Sequence, residues 1–118
     1  MTVDTQTDFE VFLAGLSIDV SQQGAGTTIA LDGEWDLAQR EKTRDAIQSA
    51  LASRPERVVL DLSRLTFMDS TGIHGILELA SLAARLKIDL MVIRGRRAVH
   101  RVFELCQLSE RLTFIDAA

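Results

Sequence analysis

One stretch, RVVLDLSRLTFMDSTGIHGILELASLAAR from Arg57 to Arg85, limits what this chain can fold into more than any other. It opens on Val58-Val59-Leu60-Asp61-Leu62, an apolar run rich in β-branched residues that reads as a buried strand. After a short connection come Asp69-Ser70-Thr71-Gly72 and then a long run of helix-forming residues. A hydroxyl between an acid and a glycine therefore stands where a strand hands over to a helix. The first N–H groups of a helix lack intrahelical partners and carry the positive end of its dipole, so the place suits a phosphate.

The rest of the chain supplies neighbours for that unit. Met1 to Asp8 is polar and expected to be a flexible tail, leaving residues 9–118 as one domain. The chain looks extended from Phe9 to Val20, with Leu16, Ile18 and Val20 alternating with polar residues. Gly15 marks Phe9 to Ala14 as a candidate separate segment. The turn Ser21 to Gly26 leads into a second strand, Thr27 to Leu31, and suggests a hairpin. Leu37 to Ser53 reads as a helix with Leu37, Ile47, Ala50 and Leu51 as its apolar stripe, Asp36 as N-cap and Pro55 beyond its end. Later elements are a strand at Ile88 to Ile93, a helix at Arg97 to Gln107 and a short strand at Leu112 to Ile115. The order β-β-α-β-α-β-α-β predicts an α/β domain with a mixed, mostly parallel sheet and right-handed crossovers, helices following strands 2, 3 and 4.

On a helical wheel the run after Ser70 places Ile73, Ile76, Leu77, Ala80, Ala83 and Ala84 on one apolar face toward the sheet. Ser70, His74, Glu78, Ser81 and Arg85 fall in a narrow polar sector. Gly72, Gly75, Leu79, Leu82 and Leu86 form a second stripe, either buried by neighbours or kept for a partner.

Composition narrows the function classes. A net charge of −4 weakens any whole-surface case for nucleic acid or an anionic membrane. No apolar run nears the roughly 18 residues of a membrane span, and nothing resembles a signal peptide, so a cytoplasmic protein is expected. The single cysteine, Cys106, sits at apolar spacing and is expected to be buried. Two histidines and one cysteine show no metal-ligand spacing, and no phosphate-binding glycine loop is present, so no cofactor or metal is expected. Ser70 and His74 share a helical side, but there is no G-x-S-x-G elbow, which counts against a serine hydrolase. Ser70 thus reads either as a helix N-cap or as a phosphoacceptor. Arg94, Arg96, Arg97, His100 and Arg101 read as a solvated basic face, and Trp35 as a strand-end anchor or an interface residue.

Asp61-Leu62-Ser63 with Phe67-Met68-Asp69-Ser70-Thr71-Gly72-Ile73 resembles the signature of STAS domains, in particular bacterial anti-sigma factor antagonists. Gly33-Glu34-Trp35-Asp36-Leu37 resembles the G-E-L-D-L segment that precedes the family's first helix. The similarity runs from about Leu16 to Ile115 in matching element order. It implies a non-enzymatic partner switch in stress-type transcription regulation. The unmodified antagonist binds an anti-sigma factor, often a serine kinase, and frees the sigma factor. Phosphorylation of the serine matching Ser70 ends the interaction, and a PP2C-type phosphatase restores it. Asp36, Asp69, Thr71 and Gly72 would support the phosphosite, and Trp35, Ile73, His74, Gly75, Glu78, Leu79 and Leu82 would meet the partner. His74 stands where many members have glycine, and Trp35 where leucine is usual. A competing reading is a non-switching STAS scaffold subunit of a lipid-transporter or stress-signalling complex; homo-oligomerisation stays open under both.

Overall fold

The computed structural model describes the backbone of residues 7–13 and the whole of residues 15–117. Its elements are β1 (Thr7–Leu13), β2 (Leu16–Gln23), β3 (Gly26–Trp35), a single 3-10 turn (Leu37–Gln39), α1 (Arg40–Ala52), β4 (Arg57–Met68), α2 (Ser70–Leu86), β5 (Asp89–Ile93), α3 (Arg97–Leu105) and β6 (Phe114–Ile115). The sheet runs β1 to β6 in chain order, antiparallel across β1, β2 and β3 and parallel from β3 to β6. The mixed α/β architecture is the expected one, with one strand more at its amino-terminal edge. The candidate segment Phe9 to Ala14 falls there: β1 ends at Leu13, two residues before Gly15 turns the chain with a φ of +83. Of the expected tail, residues 1–6 lie outside the described residues, while Thr7 and Asp8 belong to β1.

Each crossover steps to the next strand in the same direction. Right-handed connections of that kind put all three helices on one face of the sheet. The burial pattern follows. Leu16, Ile18 and Val20 of β2, Thr27, Ile29 and Leu31 of β3, and Val58, Leu60 and Leu62 of β4 are buried, while the residues between them are half-buried. The central strand therefore alternates and is not sealed on both sides, which explains how it accommodates Asp61. That carboxylate accepts the Ser63 N–H at 2.9 Å.

Three expectations about side chains are corrected. Cys106 is exposed, because α3 stops at Leu105 and Cys106 is its C-cap. His100 leaves the basic face: it is 8% exposed and packs edge-on to Phe114. In α2, Leu77 and Ala84 turn outward, and the buried set is Gly72, Ile73, Ile76, Leu79 and Ala83. The helix is covered by α1 as well as by the sheet, so its buried arc is rotated toward the glycine stripe.

Candidate functional site

The site is built where β4 ends and α2 begins. Asp69 is the N-cap of α2, with extended backbone (φ −110, ψ −161), and its carboxylate accepts the Thr71 N–H at 2.8 Å. Its carbonyl accepts from the Gly72 N–H at 3.1 Å and the Ile73 N–H at 3.4 Å. Its own N–H donates to the Trp35 carbonyl at 3.4 Å, tying the junction to the end of β3. The N-cap reading of Ser70 therefore passes to Asp69. Ser70 takes the first helical position, exposed, and among the described residues its Oγ has no hydrogen-bond partner.

The same economy of capping recurs at the end of β3. Asp36 accepts the Ala38 N–H at 3.1 Å, and Gln39 reaches back to accept the Asp36 N–H at 3.2 Å, a reciprocal capping box. Asp36 is thus an N-cap as expected, although the first turn is 3-10 and α1 starts at Arg40. The cap turns Leu37 into solvent, 67% exposed, and removes it from the predicted apolar stripe.

Beneath the junction lies Trp35, 1% exposed. A Cβ on Gly75 would stand 2.6 Å from the Trp35 ring carbon Cζ2, so α2 can lie on the indole only with glycine there. Gly72 is hemmed in likewise by Met68 and Trp35. The two glycines and the tryptophan fit one another: the large side chain at the strand end fills the space the helix leaves by having none. Gly72 is consequently a packing residue below Ser70.

Between α1 and α2 runs a groove of about 910 Å³. Ser70, Thr71, His74, Gly75, Glu78 and Leu82 line it from α2, and Leu37, Arg40 and Arg44 from the other side. Arg44 bridges the groove with a two-point contact to Glu78, Nε to Oε1 at 3.3 Å and Nη2 to Oε2 at 3.2 Å. Both side chains are well exposed, so this pair orients the rim more than it stabilises the fold.

The expected partner surface is narrower than the sequence suggested. His74 and Glu78 are exposed, and Gly75 and Leu82 half-buried along the groove. Trp35, Ile73 and Leu79, at 1%, 6% and 1% exposure, are core residues and support that surface from below. The second stripe of α2 is thus buried mainly by neighbours. Sequence reasoning missed Leu37, Arg40, Arg44 and Phe67, the last 47% exposed on the opposite sheet face from Met68. Alternation from Met68 was the available signal for Phe67; nothing local marks the arginines. No hydrogen bond joins Ser70 to His74 among the described residues, and none of those residues group as three or more metal ligands.

A one-sided α/β sheet carrying an exposed serine on a pre-capped helix start defines a class of small domain whose distinctive feature is an accessible hydroxyl on a rigid edge. The STAS domain family model matches residues 8–117, and the chain belongs to that family. Among solved structures it is similar to an anti-sigma factor antagonist from Mycobacterium paratuberculosis, with TM-score 0.80, 20% identity and 86% of each chain covered. It is similar also to the anti-sigma factor antagonist SpoIIAA in its unphosphorylated form, with TM-score 0.74 and 22% identity over 86% of this chain and 88% of that one. The phosphorylated form of Bacillus SpoIIAA, a cell fate determinant, gives TM-score 0.68 and 21% identity over 86% and 91%. At these identities the likeness is one of fold. Among the described residues no helix is long and apolar enough to cross a membrane.

Proposed function

We propose that the protein is an anti-sigma factor antagonist, a binding protein and not an enzyme. It docks an anti-sigma factor that is a serine kinase through the α2 start and the adjoining groove, thereby freeing a sigma factor. The observation that carries this reading is an exposed, unpartnered Ser70 hydroxyl on a helix start whose cap is supplied by another residue. Modifying a capping serine would loosen the helix; modifying Ser70 changes the surface and leaves the cap in place. A phosphate there brings about −1.5 to −2 charges into the middle of a docked face, where an unpaired charge is costly. The exposed Leu37 and Phe67 give the same edge apolar contacts. A PP2C-type phosphatase would reset the switch.

Incubation with the co-encoded kinase and ATP, followed by intact-mass measurement, is expected to show one phosphate on the wild type and none on Ser70→Ala. In titration calorimetry with that kinase, Ser70→Ala should bind like the wild type and Ser70→Asp more weakly by roughly 1–3 kcal/mol. No phosphate uptake, or equal affinity of the two variants, defeats the proposal and leaves the non-switching scaffold reading in its place.

A further inference from the structure

We infer that Arg40 and His74 form a receptor for the phosphate on Ser70, so that the modified state is held on this chain's own surface. The inference rests on reading Ser70 as a phosphoacceptor and concerns what happens to the phosphate once it is there.

A phosphate at a helix start usually meets free backbone N–H groups. Here three of the four are taken, and only the Ser70 N–H is without a partner among the described residues. The Thr71 N–H is given to the Asp69 carboxylate, and the Gly72 and Ile73 N–H groups to the Asp69 carbonyl. The Asp69 carboxylate, one residue away, also repels a dianion. Further stabilisation must therefore come from side chains, and the groove supplies them on one side only. His74 lies four residues after Ser70, which puts their Cβ atoms about 5–6 Å apart on one helical face. Side chains on a helix lean toward its amino end, so the imidazole of His74 leans toward Ser70.

Arg40 is placed by register. The parallel strands β3, β4 and β5 make α1 and α2 run in the same direction. The Arg44–Glu78 contact sets their relative height. One turn back from each, Arg40 comes level with His74, and both line the groove together with Ser70. Arg44 is engaged by Glu78, whereas Arg40 has no ion-pair partner among the described residues and is exposed. Arg85 lines the same groove but lies about four turns further along α2, out of reach. The available cations near the hydroxyl are thus Arg40 and, when protonated, His74.

The test installs phosphoserine at position 70 by genetic encoding in the full chain, so no kinase is needed, and follows its second ionisation by ³¹P NMR. A phosphoserine ordinarily titrates near pH 6. Facing cations favour the dianion, so the midpoint in the otherwise wild-type chain should lie about half a pH unit below that of the Arg40→Gln, His74→Gln double variant. Each single variant should fall between, Arg40→Lys should keep most of the shift, and 1 M salt should erase the difference. Both side chains are exposed, and matching thermal melts would confirm that the variants stay folded. Identical midpoints in all chains overturn the receptor. Because the phosphate is installed without a kinase, a failure of kinase uptake on Ser70 would sink the switch and leave this result readable; a fixed midpoint would do the reverse.

Discussion

Two corners at the carboxyl end of the parallel strands show opposite solutions to a similar problem. At the α2 start a strand ends, a helix begins, and the polar groups of the backbone are satisfied locally by Asp69 and Asp36, leaving a hydroxyl exposed. At the α3 corner a buried histidine, His100, is held by a half-exposed arginine that also pairs with a carboxylate at the surface. The Arg94 Nε donates to the Asp116 carboxylate at 2.8 Å, its Nη1 stands 3.1 Å from His100 Nε2, and its guanidinium lies over the Phe114 ring at 5.7 Å. A guanidinium only donates, so His100 accepts at Nε2 and carries its proton on Nδ1, which is buried without a partner. Phe103 and Phe114 close the cluster edge to face at 5.0 Å. One corner spends its arginine on fastening the last strand; the other leaves Arg40 at the surface. What differs is where the large side chain sits. Trp35 fills the space under α2, so nothing from the rim is needed as filler.

That contrast can be broken first by removing the filler. Trp35→Ala should cost about 3–5 kcal/mol in denaturant unfolding, the typical loss for a buried large aromatic. Gly75→Ala attacks the same contact from the helix side. With Cβ 2.6 Å from the indole it should destabilise by about 1–3 kcal/mol, and a Trp35→Leu background should relieve much of that in a double-mutant cycle. Additive effects would show that the glycine and the tryptophan do not act as one unit. Asp69→Ala tests the division of labour at the α2 start. Losing the cap should cost about 1 kcal/mol by the same assay, whereas Ser70→Ala should leave stability nearly unchanged. If Ser70→Ala proves as harmful as Asp69→Ala, the hydroxyl is structural and the switch loses its physical basis. Arg44→Gln should cost little, under about 1 kcal/mol and vanishing in high salt, since both partners are exposed.

The parts of this protein legible in its sequence are those fixed by local chemistry. The 2-residue period of Leu16, Ile18 and Val20, the N-cap at Asp36, and the strand-to-helix handover at Asp69-Ser70 depend on neighbours along the chain and stand in the structure as the sequence implied. So does the family, since its signature lies in short runs of neighbouring residues. Decisions that belong to tertiary packing were not legible. Whether Leu79 or Leu77 faces inward depends on α1 lying beside α2, and whether Cys106 is covered depends on where α3 stops. The groove shows the limit most clearly: Arg40 and Ser70 are thirty residues apart, and only the parallel register of two crossover helices brings them to the same rim. Local pattern sets which groups each segment exposes or caps, but which exposed groups meet is set by the sheet's order and handedness, and these are properties of the whole chain.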